Sequence, residues 1–355
     1  MADQHERPSS NDLLWDTPTI STPELRGSSD PAESFAAAQS LFHEGRLEDA
    51  WEEAEMARAG FAAIDPLSET DVLYLSAAIA KERGYYRIGE ERIARAIADR
   101  TDLAEGTVPL SWYELHATLA GQNGELATAA AAWETAVKVA RALRDATGQG
   151  VDRLCVALRA LGDTHLAQGY NVPALRAFRE LVEEARGMAA ASEDPHAFRH
   201  LTSALHRLGD ALHVSNDPAG AAAAYRDAVR ETKRVAAALG ESTDTLWDLS
   251  VGLNRLGAVQ LESEQTQAAI ASFEQSVEAR RAFVDMTSRD PQALLGLASS
   301  LSKLSAALHH TGDEAAALAA AEEAAALDQE ASAPATQQDT HAHLHPLTMV
   351  PGPVF

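Results

Sequence analysis

Between Ser34 and about Ala331 apolar residues recur at spacings of three and four, as in Leu201, Leu205, Leu208 and Leu212. That is the one-sided stripe of an amphipathic helix. Strand-like alternation is absent, Ala is abundant and Pro is confined to a few sites, so the pattern predicts helix nearly throughout residues 33–331. The flanks read differently. Residues 1–32 carry Pro, Ser, Thr, Asp and Gly with few apolar side chains, a composition that does not offset its ordering entropy, and are expected to be disordered. The apolar knot "DLLWD" at 12–16 is the exception there; it suits a docking motif, although such knots more often tuck onto their own domain. Residues 332–355 are rich in turn and breaker residues without periodicity and are expected to form a disordered tail.

The helical pattern also repeats at long range. "ALHRLGDALH" (204–213) returns 48 residues later as "GLNRLGAVQL" (252–261) and after another 48 as "SLSKLSAALH" (300–309); it is preceded by 47 residues by "ALRALGDTHL" (157–166). A fixed period in this range marks stacked structural repeats. The residues downstream of each segment keep the same register. One unit has Leu161, Gly162, Gly169, Ala174, Phe178 and Leu181, and the next has Leu208, Gly209, Asn216, Ala221, Tyr225 and Ala228. Then come Leu256, Gly257, Glu264, Ala269, Phe273 and Ser276, and last Leu304, Ser305, Gly312, Ala317, Ala321 and Ala324. Fainter units lie upstream at Ala117, Gly124, Ala129, Trp133 and Ala136; at Ala77, Gly84, Gly89 and Ala96; and at Ala38, Gly45, Ala50 and Ala57. A small residue after the Leu lets two helices approach closely, and the Ala and the aromatic fill the space between them. The four recurring Leu are expected in the core. Asn171, Asp217 and Asp313 are placed to cap the second helix of a hairpin, and Pro218 suits its first turn.

These columns resemble the tetratricopeptide repeat. The resemblance spans about 300 of the 355 residues, with several positions matching at once in the last five units and fewer in the first two. It implies an all-α, right-handed superhelical solenoid of about seven antiparallel helix hairpins, whose first helices line a concave ligand-binding face. The period departs from the family's usual 34 residues. The excess, 48 − 34 = 14 residues, lies between Val277 and Leu301, with Asp290-Pro291 as the break. It lengthens the second helix by nearly three turns and the next first helix by about one, giving helices close to 30 Å long. Long-period repeats of this kind resemble those of bacterial signalling and regulatory proteins, which implies interaction rather than chemistry.

Helix phase places Arg159, Asp163 and Leu166 on the concave face, followed by His206, Asp210 and His213, then Asn254, Ala258 and Leu261, then Ser302, Ala306 and His309. Asp163 and Asp210 would stack on adjacent helices and receive Arg or Lys from a basic partner. The competing and commoner arrangement pairs Arg159 with Asp163 and Arg207 with Asp210 along their own helices. A second rung, Arg207, Arg255 and Lys303, would hold a partner's carboxylate unless these charges are solvated or paired across helices. The wider Lys, Asn and Arg set of the family's clamp for C-terminal carboxylates is not matched.

Charge and composition narrow the function. A net charge of −24 argues against a general nucleic-acid binder and against anionic membranes, and weakly favours basic partners. The single cysteine, Cys155, excludes an intrachain disulfide and sits in an apolar helical stretch that suits a packed, inert thiol. The start lacks the apolar core of a signal peptide and no run reaches the roughly 18 apolar residues of a membrane span, so the expectation is a soluble, cytoplasmic protein. Abundant Ala and Arg suit a GC-rich bacterial genome. Among the 13 histidines, His196 and His200 have ligand spacing but no third ligand, and "HAHLH" (341–345) is a weak candidate; no resident metal or cofactor is expected. No phosphate-cradling loop or nucleophile elbow is present, so no catalytic residue is assigned. The reading is a non-enzymatic adaptor or scaffold that binds a protein or peptide partner in the groove. The alternative is a regulatory sensor in which a small peptide or metabolite in the groove controls binding to an effector. Oligomeric state is left open.

Overall fold

The computed structural model describes residues 30–103, 108–191 and 195–333, the side chains of Pro195 and His196 excepted. Among these residues every regular element is an α-helix. In chain order they are α1 (Pro31–His43), α2 (Leu47–Ile64), α3 (Pro66–Glu82), α4 (Tyr86–Leu103), α5 (Leu110–Gln122), α6 (Leu126–Thr147) and α7 (Val151–Ala167). They continue with α8 (Asn171–Ala191), α9 (Pro195–Val214), α10 (Pro218–Leu239), α11 (Thr243–Glu262), α12 (Thr266–Met286), α13 (Pro291–His310) and α14 (Glu314–Ala331). The "DLLWD" knot and the "HAHLH" tail lie outside the described residues, as do most of the two flanking segments. Pro31 and Ala32, assigned by composition to the N-terminal segment, are instead the first turn of α1, because Asp30 accepts a hydrogen bond from the Ala32 N–H and Pro31 occupies the first helical position.

Among the described residues, seven tight turns define seven hairpins. At each, one residue has positive φ: Gly45, Gly84, Gly124, Gly169, Asn216, Glu264 and Gly312. The following N–H reaches back five residues to the first helix, as from Tyr170 to His165 O at 2.8 Å and from Gln265 to Gln260 O at 2.8 Å. This closes the orphan carbonyls of the first helix as in a Schellman turn. Five of the seven positions are Gly, for which this backbone costs nothing; Glu264 holds it at φ 60° against the clash of its own Cβ. Glu264→Gly is therefore expected to stabilise the protein by about 0.5–1 kcal/mol, less the entropy Gly adds to the unfolded chain. A urea midpoint unchanged or lower in that variant would contradict it.

The chain divides into two compact units at Leu143/Arg144. In the first, α1–α4 pack as successive hairpins, and a core cluster of Ala38, Ala50, Trp51, Ala54, Val72 and Ile79 lies between them. Arg83 and Arg92 stack over Trp51 at 5.6 and 4.5 Å. In the second unit α7–α14 form four hairpins, and the first helices α7, α9, α11 and α13 touch in sequence as a continuous layer. From α9 to α13 the helices are 20 to 22 residues long, about 30 Å at 1.5 Å per residue. Asp290 caps α13 by accepting from the Gln292 and Ala293 N–H groups, with Pro291 next, which is where the long period breaks.

The small-then-aromatic columns pack as pairs. A Cβ on Gly162 would stand 2.5 Å from the Phe178 ring, and one on Gly257 2.7 Å from the Phe273 ring; Gly209 lies equally close under Tyr225. In the last hairpin the pair changes together: Ala321 replaces the aromatic, and Ser305 takes the Gly position and donates to Ala317 O at 2.7 Å. Two sequence expectations need correction. Leu161 and Leu256 are buried, but Leu208 and Leu304 are only half-buried, at the rim of their clusters. The deepest layer lies one turn earlier, at Leu158, Leu205, Leu253 and Leu301. Asp217 and Asp313 cap their helices through the Gly220 and Ala316 N–H groups, whereas Asn171 is already the first residue of α8 and is not its cap.

The terminal helix α14 buries only Ala317, Ala320, Ala324 and Leu327. Its ties Arg281–Glu323 and Arg289–Glu330 are about half exposed, and such pairs contribute little. Amides of residues 314–330 are therefore expected to exchange faster than those of 205–230. Equal or stronger protection there would mean that another body, such as a second copy of the chain, covers α14.

Candidate partner-binding face

The layer of α7, α9, α11 and α13 carries every residue assigned to the groove by helix phase, and the structure tests their surroundings one by one. Asp163 on α7 lies 3.7 Å from Arg159 on its own helix and 3.6 Å from Arg207 on α9. Burial outweighs both arginines and raises its pKa. Asp210 on α9 pairs with Arg255 on α11 at 3.0 Å and accepts from the Tyr225 hydroxyl at 2.7 Å. The two carboxylates are thus neutralised, and across helices rather than only along them: each arginine of the rung reaches back to the aspartate of the preceding first helix. Sequence spacing named Arg207 for Asp210 and left cross-helix pairing of the arginines open without a partner, because cross-helix register depends on how the hairpins stack.

His206 is 9% exposed. Its ring sits between Tyr225, 6.3 Å away, and α11, where a Cβ on Gly252 would come within 2.9 Å of Nε2. Nε2 is buried without a hydrogen-bond partner. Burial, with Arg255 and Arg207 adding to it, pushes its pKa down to about 3, so the ring is neutral at physiological pH. It forms a floor rather than projecting from the face. His213 bonds Glu262 at 2.6 Å and His309 bonds Glu314 at 3.0 Å. Asn254 donates to Ser300 Oγ at 2.9 Å, leaving its buried Oδ1 without a partner.

Among the described residues, two of the hollows that open on this layer lie beside the assigned side chains. One, of about 270 Å³, lies between α9 and α11 with His206, Arg199, Arg207, Arg255, Trp247 and Asp248 around it. Trp247 is 39% exposed, and burial pushes Asp248 up to about 6 against the pull of Arg199. The other, of about 400 Å³, lies between α13 and α14 beside Ser302, Ala306 and His309, where Ala321 replaces the aromatic of the earlier hairpins. Trp247, Arg199 and Asp248 were not among the residues read from the sequence. The signal was there, since Arg199, Trp247 and Leu295 share one register at spacings of 48, but its phase lies beyond the repeat motif used to find the face.

Elsewhere, burial with help from Glu184 and Asp152 pushes the Cys155 thiol up to about 12, and its Sγ rests 3.8 Å from Met188 Sδ. His200 is described, but the side chain of its spacing partner His196 is not. Among the described residues no group of three metal-ligating side chains occurs, and no helix is long and apolar enough to cross a membrane.

No family model matches the chain, and no curated protein matches it. Solved structures do. The chain is similar to the C-terminal part of a TPR repeat-containing protein from Cytophaga hutchinsonii, with a TM-score of 0.56 and 14% identity over 83% of this chain and 95% of that one. The fold is that of a tetratricopeptide repeat protein. A signal-transduction ATPase from Pyrococcus horikoshii with a tetratricopeptide repeat sensor has a TM-score of 0.59 at 11% identity; the match covers 84% of this chain but only 42% of the ATPase. At these identities the tetratricopeptide likeness is one of fold.

Proposed function

We propose that this chain is a non-enzymatic adaptor or scaffold that holds a partner protein or peptide along the layer of α7, α9, α11 and α13. The observation that carries this reading is the α9–α11 hollow, where a half-exposed Trp247 stands beside three arginines on a continuous face of touching helices. An aromatic and arginines in one depression are the residue types that dominate binding energy at protein interfaces. The fold supports an interaction role. The sequence expectation of a basic partner rested on the net charge and on Asp163 and Asp210; with both carboxylates paired, only the weak preference from the net charge is left. The net charge of −24 still disfavours nucleic acid, and the cytoplasm is the compartment proposed.

A second reading, a regulatory sensor for a small peptide or metabolite, is favoured by the size and polar lining of the same hollow, close to the lower end for ligand pockets. It also agrees with the repeat sensor named in the Pyrococcus ATPase. Native purification from the host, followed by mass spectrometry of both the protein and the small-molecule fractions, separates the two. The adaptor reading expects a stoichiometric protein partner. A bound small molecule without one would replace it with the sensor.

A further inference from the structure

The cross-helix ladder on this layer has a rung with one side missing. Its acids occupy one register, Asp163 then Asp210, and its arginines another, Arg207 then Arg255, each pair joined across adjacent first helices. Continuing by 48 residues gives Ala258 and Lys303. The cation is kept and the carboxylate is gone. The Lys303 ammonium donates only to Ser299 Oγ, at 2.9 Å, and no carboxylate among the described residues reaches it.

A second cation lies against the same stretch of α13. Arg280, on α12, is 5% exposed, and its Nε and Nη1 are buried without an acceptor among the described residues. The guanidinium lies 4.1 Å over the Trp247 ring and 5.8 Å from Phe283. The register that Arg280 occupies holds Ala185 and Thr232 in the two preceding hairpins, so the large cation is specific to this one. Its neighbour is adapted to it: Gly296 is one turn before Ser299 on the same side of α13, and a Cβ there would stand 2.7 Å from Nη1. Burying an unpaired guanidinium is costly, and the aromatic stack offsets only part of that cost. Burial pushes Arg280 down to about 10; it also lowers Lys303, which Arg280 lowers further, so each cation is held without a counter-charge in an otherwise strongly acidic chain.

We infer that Lys303, with Ser299 beside it and the Arg280 charge on α12 adding to its positive field, binds a side-chain carboxylate from an acidic segment of the partner, in the place the ladder's third aspartate would fill. Two preceding rungs hold a carboxylate in this register, which is why the anion is a carboxylate. This deepens the adaptor reading and rests on it: the partner segment is acidic at the α11–α13 end of the layer, although the chain as a whole is acidic too.

The test is calorimetric titration of the full chain at low salt with a terminally blocked tri-glutamate peptide, with blocked tri-glutamine and inorganic phosphate as the other arms. Saturable one-site binding of the glutamate peptide alone is expected. Lys303→Gln should weaken it at least tenfold and Lys303→Arg should restore it. Ala258→Asp supplies the missing acid from within and should also weaken binding at least tenfold, with a melting temperature equal to or above that of the wild type, so that the loss is not one of folding. The inference is overturned by absence of saturable glutamate-peptide binding, by binding that survives both Lys303→Gln and Ala258→Asp, or by a site that takes phosphate and not the peptide. A protein partner found in native purification together with any of these results would leave the adaptor reading standing and remove only the carboxylate site.

Discussion

Leu205→Ala is expected to destabilise the second unit by about 2–5 kcal/mol, the range for emptying a fully packed leucine site. Leu205 is 2% exposed and shares its register with Leu158, Leu253 and Leu301, which are equally enclosed. Leu208→Ala, one turn on, should cost about half as much, because that side chain lies at the rim of the Tyr225 cluster and keeps part of its surface in water. Urea denaturation of the two variants separates the positions. A larger loss for Leu208→Ala than for Leu205→Ala would mean that the Leu of the recurring "LG" pair, not the one before it, holds the hairpins together.

The second large effect concerns acid. His206 is held neutral in the folded protein with a pKa of about 3, while in the unfolded chain it titrates near 6.5. Below pH 6.5 the unfolded state therefore binds a proton that the folded state refuses, so the contribution of this group to stability is present at neutral pH and is lost as pH falls. The slope is about 1.4 kcal/mol per pH unit. The groups facing the ring are Arg207, Arg255 and Tyr225; the two arginines stay charged throughout and reinforce the refusal. Between pH 6.5 and 5 the wild-type protein should lose about 2 kcal/mol more than His206→Met, which fills similar space without a titrating group. Parallel stability curves for the two proteins over that interval would show that the imidazole accepts its proton in place.

How far these residues could be foreseen differs with the physics that fixes them. The hairpins were legible because local rules act within one unit: the glycines at the turns, the small residue beneath Phe178 and Phe273, and Asp217-Pro218 at a helix start all obey short-range sterics and capping. Helix phase also grouped side chains that lie on one layer of helices, since 3.6-residue periodicity decides which of them share a side. It named the Arg159–Asp163 pair, which is present, and left open that the arginines pair across helices, but it did not say with which residue. Arg255 finds Asp210 45 residues away, and Arg280 meets Gly296 only because α12 and α13 pack in one particular stagger. His206 was expected on the open face because its phase was right, yet the approach of α11 at Gly252 covers it.

The layer of first helices in the second unit is, on this account, the surface that holds the partner. Its most direct test compares capture of the native partner by two sets of exposed-site variants. Ser203→Arg and Ser302→Arg place bulk and charge on α9 and α13 at exposed positions of the layer, and Ala223→Arg and Glu274→Arg do the same on the second helices α10 and α12. The account predicts that the first pair loses the partner while the second pair retains it, with all four as stable as the wild type. Retention by Ser203→Arg and Ser302→Arg, with loss from Ala223→Arg and Glu274→Arg, would contradict it and move the interface to the second helices.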